Sequence, residues 1–277
     1  MCSPPDKKGN INPAILYAAQ LIGVTQIYKV GGIQAIAAMT YGTVEIPKVL
    51  KIFGPGNQYV TAAKQYAQQL GLAIDMPAGP SELLVIADAT CDPEFVASDL
   101  LSQAEHGEDS QVILVANSEE IVTKVTAAIE SQKAFLPRQS TVEKALDNSR
   151  ALVFEDLQSA IAFSNFYAPE HLILAIKDAE NRIQLIENAG SVFIGNYSCE
   201  SAGDYASGTN HTLPTNGYAK NYSGVSLDSF VKKITFQKLT SEGIQNLGPT
   251  IEVMAAAEQL NAHKNAVTIR LKKLQNG

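Results

Sequence analysis

Gln103 and His106, within Ser102-Gln103-Ala104-Glu105-His106-Gly107, set an amide and an imidazole three residues apart at the end of a helix. Asp92 suits that helix's N-cap, Pro93 its first position, and Gly107 a left-handed residue after its last turn. Residues three apart share a helix face, and the last turn carries partial negative charge. A cation held there would gain from side chain and backbone alike, which makes the pair half of a metal site. Taken singly, the same pair is also an ordinary solvated helix end, since zinc more often takes His and Cys.

Other residues could do chemistry. Glu170-His171 follows the helix-ending Pro169 and precedes an apolar strand, so a carboxylate and an imidazole able to move protons near neutral pH stand at a sheet edge. As an isolated pair they also read as an ordinary surface Glu-His. Asp204 is a candidate hard-oxygen ligand in a long loop, 196–222, where His211 reads as a packed, hydrogen-bonded histidine. Ser81 is presented at a strand entrance by the rigid loop Pro77-Ala78-Gly79-Pro80. Gly31-Gly32 and Gly54-Pro55-Gly56-Asn57 are strand-to-helix turns that let a ligand approach a helix N-terminus. Neither matches GxGxxG, and tight turns of this kind also occur as plain structure.

The elements that must position these residues alternate. Strands are expected at 26–30, 48–53, 72–76, 83–87, 112–116, 151–154, 172–176 and 191–194, and helices at 13–21, 34–39, 59–70, 92–107, 119–133, 141–148, 157–167 and 181–188. Strand-glycine-helix units in succession indicate a parallel sheet with crossovers. From Leu227 the character changes: 230–239, 248–260 and 264–274 read as amphipathic helices, an arm suited to packing on a partner subunit. The arm carries Glu258 and His263.

Composition excludes several classes. The 277 residues, 45% hydrophobic and 18% charged, can bury more than one core. A net charge of −7 argues against a nucleic-acid binder. Cys2, Cys91 and Cys199 are odd in number and lack CxxC spacing, which suits a reducing interior rather than a disulfide framework. No apolar run is long enough for a membrane span.

Seven motifs, in order along the chain, carry a resemblance: Gly31-Gly32-Ile33-Gln34-Ala35-Ile36-Ala37, Phe53-Gly54-Pro55-Gly56-Asn57, Asp75 to Glu82, Gln103 to His106, Tyr167-Ala168-Pro169-Glu170-His171-Leu172, Gly203 to His211, and Leu260-Asn261-Ala262-His263. Together they resemble histidinol dehydrogenase from about Cys2 to Leu271. The resemblance implies an α/β fold: a partial Rossmann-like domain over 1–82 that contacts NAD, a Rossmann-like domain over 83–225 with the catalytic residues, and a helical dimerisation arm over 226–277.

The family oxidises L-histidinol through the aldehyde to L-histidine with two NAD, as a zinc-dependent homodimer. The resemblance implies zinc ligands Gln103, His106, Asp204 and His263, with His263 and Glu258 donated across subunits. It makes His171 the base that takes the alcohol proton and Glu170 the base that activates water for the second half. Ser81, Glu258, His171 and the zinc ligands would touch histidinol, and Gln34 and Asn57 would touch NAD. The resemblance also implies a further segment before Met1, so a shortened relative that keeps only zinc or substrate binding is the alternative. The family works in the bacterial cytoplasm or the plastid stroma, with no nucleic acid and no membrane involved.

Overall fold

The computed structural model describes residues 1–77 and 79–276. Helix α1 (Pro13–Leu21) starts where Asn12 accepts the Ala14 N–H and where Pro13 lacks only an N–H that would have gone unpaired. Two helices, α2 (Gly32–Tyr41) and α3 (Gln58–Gln69), cover a small parallel sheet of β1 (Lys51–Ile52) and β2 (Ala73–Ile74). Ile36, Ile52, Val60, Ala67, Leu72 and Ile74 form its core.

The strands expected at 48–53 and 72–76 therefore pair over two residues only, and the one at 26–30 is absent. Tyr28 bridges to Cys2, its N–H donating to the Met1 carbonyl and its carbonyl accepting the Ser3 N–H, and among the described residues the pairing goes no further. Strand character needs a partner, whatever the local pattern.

The second sheet is larger and wholly parallel. Its strands are β3 (Glu82–Ala87), β4 (Gln111–Ala116), β5 (Arg150–Val153), β6 (His171–Ala175) and β7 (Ser191–Ile194), in the order β5-β4-β3-β6-β7. Counted in chain order within the sheet this is 3-2-1-4-5, a doubly wound arrangement. All six residues of β3 are buried, as a strand covered on both faces requires. Leu83, Val85 and Ala87 pack under α4 (Pro93–Ala104), α5 (Glu119–Lys133) and α6 (Gln139–Asp147). Leu84 and Ile86 pack on the other face under α7 (Leu157–Tyr167).

Three expectations need correction here. The helix at 181–188 is a 3-10 helix, Ala179–Leu185. The long loop 196–222 contains α8 (Glu200–Tyr205) and a 3-10 turn, Tyr218–Lys220, because Glu200 and Gly203 form a buried face. Residues 231–239 are not helical: Val231, Ile234 and Phe236 are exposed, and an amphipathic helix needs a surface on which to bury its apolar side.

The chain divides into two compact units, one from Met1 to Phe230 and one from Val231 onward. The second is a hairpin of α9 (Ser241–Ala257) and α10 (Asn261–Gln275), with Thr240 capping α9 through the Gly243 N–H. Gly248 lets the two helices approach, since a Cβ there would lie 2.8 Å from Leu271 Cδ1.

Candidate active site

Glu82 opens β3 and His171 opens β6, and the register pairs His171 with Leu83. These residues stand at the amino ends of the two central strands. Doubly wound sheets usually bind ligands at the carboxyl ends. The difference follows from α4, which leaves β3 at its carboxyl end and runs back, so that its last turn delivers Gln103 to the amino side. Asp92 caps α4 through the Glu94 N–H, as expected. The far end differs: α4 stops at Ala104, Glu105 is its C-cap in helical conformation, and Gly107 is not left-handed. A Cβ at Gly107 would lie 2.8 Å from Asp109 Oδ1, the end of an exposed side chain that can swing aside. His106 sits in a turn, its N–H donating to the Gln103 carbonyl at 3.2 Å.

Behind β6 the chain reverses at Ala168, left-handed at φ 59° and fully buried. A non-glycine residue held in that region costs about 1–2 kcal/mol. It sends Glu170 and His171 directly from the end of α7 into the sheet.

Burial dominates the electrostatics. It raises the Glu170 carboxyl to about 7, with the neighbouring His171 and a hydrogen bond from the Glu82 N–H opposing the rise. Glu82 is likewise raised to about 7 by burial, although its Oε1 accepts the Asn216 N–H at 2.9 Å. Burial pulls the His171 ring down, but contact with Asp204 and the Glu200 and Glu170 carboxylates outweigh it and lift the ring to about 9. His171 Nδ1 lies 3.3 Å from the Glu82 carbonyl, and the buried Nε2 has no hydrogen-bond partner. Nε2 lies 3.7 Å from Asp204 Oδ1. An unpartnered buried nitrogen signals a group expected from outside the chain.

Three donors converge beside it. Ligand atoms of His106, Glu200 and Asp204 lie within 4.8 Å of one another, a set that could hold a metal ion. Glu200 and Asp204 project from one face of α8, four residues apart. Gln103 joins them, with one side-chain amide atom 3.3 Å from His106 Nδ1. His106 is lowered mainly by burial, with Asp204 opposing. Asp204 is lowered, chiefly by its contact with His171.

A cavity of about 210 Å³ is lined by Ser81, His106, Glu170, His171 and Asp204, with His211 and the Gly54-Pro55-Gly56 turn. His211 is exposed at its edge rather than packed. A second cavity, of about 370 Å³, shares Gly56, Ser81 and His106 with the first and is lined also by Asn57. Gln34 lies apart: it is exposed on α2 and lines neither cavity, but a groove between α2 and α3. Glu258 and His263 are exposed residues of the second unit. Two buried carboxylates, Glu82 and Glu200, belong to the site but carry no role in the sequence reading. The i, i+4 spacing of Glu200 and Asp204 was the available signal, hidden because the segment reads as a loop.

The histidinol dehydrogenase family model matches residues 1–271. The chain belongs to the histidinol dehydrogenase family. A curated histidinol dehydrogenase of Bacteroides fragilis strain YCH46 is 61% identical over 275 residues, and the chloroplastic histidinol dehydrogenase of Arabidopsis thaliana is 57% identical over 278. The alignments cover 99% of this chain, and 64% and 60% of those two relatives. A crystal structure of histidinol dehydrogenase from Elizabethkingia anophelis superposes with a TM-score of 0.97 at 68% identity, over 99% of this chain and 63% of that one. The chain thus spans somewhat under two thirds of the length of these family members. Among the described residues no helix is long and apolar enough to cross a membrane.

Proposed function

We propose that this chain carries the active site of a zinc- and NAD-dependent histidinol dehydrogenase that converts L-histidinol through L-histidinal to L-histidine. The observation that carries the reading is the unpartnered Nε2 of His171, buried 3.7 Å from Asp204 Oδ1 in a residue that lines one cavity together with His106 and Glu170. The donor set fits zinc, being imidazole nitrogen and carboxylate or amide oxygen with the same lining. Gln103, His106 and Asp204 would hold the ion, and His263 of a second subunit would complete the set. Bound zinc would anchor the imidazole and amine of histidinol, and NAD would accept hydride.

The chain's own residues divide the proton work. With its ring neutral, His171 would take the hydroxyl proton of histidinol at Nε2, a state favoured once a cation at Asp204 engages the carboxylate that otherwise lifts the ring to about 9. Glu170, with a carboxyl near 7, is ionised in part at neutral pH and can take a proton from the water that adds to the aldehyde carbon. Loss of the second hydride from that hydrate gives the carboxylate. Ser81 lines the cavity where the substrate would lie, and Asn57 lines the adjoining cavity where the cofactor would enter. Gln34 reaches the cofactor only if NAD extends beyond both cavities. Glu258 and His263, exposed on the helical hairpin, are available to a partner subunit.

The test is NADH absorbance on mixing the protein with zinc, histidinol and NAD, with two NADH formed per histidinol. His171→Asn is expected to lower turnover by about 10²–10⁴-fold while zinc content is unchanged. Zinc retained by the wild-type chain without NADH formation would favour a relative that only binds zinc or substrate.

A further inference from the structure

Gln103 is completely buried and Glu200 is 1% exposed, so their meeting is shielded from water. The amide orientation that satisfies both ends of Gln103 points its NH2 at Glu200 Oε1 and Oε2, 3.0 and 3.2 Å away, with His171 Nδ1 also 3.2 Å from the nitrogen. Its carbonyl oxygen then lies 3.3 Å from His106 Nδ1. Two ligand atoms on one zinc ion, each about 2.0–2.2 Å from it, stand at about that separation in tetrahedral geometry.

An amide is a rare zinc ligand, and Glu200 supplies a physical reason for it here. A carboxylate at position 103 would set two negative groups about 3 Å apart without water, where both cannot stay ionised. An amide donates to Glu200 and keeps its one acceptor for the cation. We propose that Glu200 is a positioning residue: it fixes the rotation of the Gln103 amide and thereby makes the amide oxygen, rather than the nitrogen, face the metal. The proposal rests on the metal reading above. Asp99, one turn before Gln103 on α4, stands near the Glu200 backbone N–H at the start of α8, which offsets part of the rise that burial gives its carboxyl. One face of α4 therefore meets α8 twice: Asp99 at its first N–H, and Gln103 at the side chain that α8 presents.

A direct-ligand role for Glu200 is the competing account, since its oxygens also lie near His106 and Asp204. The two accounts differ in what an exchange of side chains does. Zinc affinity would be measured by competition with a chromophoric chelator, and the ligand field by the visible spectrum of the Co²⁺-loaded protein. Glu200→Gln, of equal size, is expected to weaken zinc binding by about 10–100-fold, the usual effect of losing an outer partner of a ligand. The exchange Gln103→Glu with Glu200→Gln restores an amide-to-carboxylate contact and an oxygen facing the metal, so affinity is expected to return towards wild type. Thermal melting of each variant checks the fold. Unchanged affinity in Glu200→Gln, or an exchange variant no better than the single one, would overturn the proposal in favour of an inert or direct-ligand Glu200. If the wild-type protein takes up neither zinc nor cobalt, the metal reading itself fails and the proposal with it.

Discussion

Glu170 Oε2 accepts the backbone N–H of Glu82 at 3.0 Å, so the carboxylate at the head of β6 is tied to the first residue of β3. One oxygen thus joins the two central strands at the point where the proposed chemistry takes place.

Glu170→Gln separates those two duties. A glutamine oxygen can still accept the Glu82 N–H, but it cannot take a proton from water. The melting temperature is expected to stay near wild type while the second oxidation slows by about 10²–10⁴-fold. NADH stoichiometry would then fall from two per histidinol towards one, with the aldehyde trapped by a hydrazine reagent. Equal loss of both oxidations would show that Glu170 acts before the aldehyde. Glu170→Ala, which leaves the Glu82 N–H without its acceptor, is expected to cost a further ~1–3 kcal/mol of stability.

Buried carboxyls give the metal-free protein a definite pH dependence. Glu82 and Glu170 are both raised to about 7, and Asp99 to about 6, chiefly by burial. A raised carboxyl binds its proton more tightly when folded, so its stabilising contribution is complete below the unfolded value and is lost as pH climbs through the folded one. Stability in a chelating buffer is therefore expected to decline between about pH 5 and pH 8 through these groups. Glu82→Gln should flatten that decline, which parallel melting curves would read. An unchanged slope would remove Glu82 from the account.

Lys64 and Asp75 form a buried ion pair around Gly54. The Lys64 ammonium donates to the Gly54 carbonyl at 2.9 Å, and Asp75 Oδ2 accepts the Gly54 N–H at 2.9 Å. Gly54 has φ 146°, a value that side chains other than glycine's hydrogen rarely allow. The pair therefore holds the turn that lines the cavity. Lys64→Met leaves Asp75 buried without its cation, and a loss of about 3–5 kcal/mol is expected by denaturant unfolding. A loss below ~1 kcal/mol would mean that solvent reaches the pair.

Gly203 lies between the two acidic residues of α8, and a Cβ there would sit 2.7 Å from the Phe193 ring. Gly203→Ala would push α8 away from β7 and with it Glu200 and Asp204. Overpacking of this sort costs about 1–3 kcal/mol. The sharper readout is zinc affinity, expected to fall more than stability does, because ligand positions tolerate little displacement. Intact affinity would place the strain relief elsewhere, in rotation of Phe193.

Much of this was legible along the chain. Alternation of apolar runs with glycine-bounded helices identified a parallel α/β fold, and Asp92-Pro93 marked the start of α4 to the residue. The ordered motifs identified the family. What failed to read was whatever depends on a partner. Residues 26–30 have strand character but only one bridging neighbour. Residues 231–239 have helical spacing but lie exposed. Residues 200–205 are helical because Glu200 and Gly203 turn inward, although Ser, Gly and Asp suggest a loop.

The order of residues alone determined which chemical groups are present, because side-chain type and short-range spacing are properties of the local chain. Only the tertiary structure decided that the site lies at the amino ends of β3 and β6, that Glu82 and Glu200 belong to it, and that His171 Nε2 is left without a partner. Burial and convergence are set by segments more than eighty residues apart, as Glu82 and Glu170 are. A carboxyl's proton affinity depends on which water those distant segments remove.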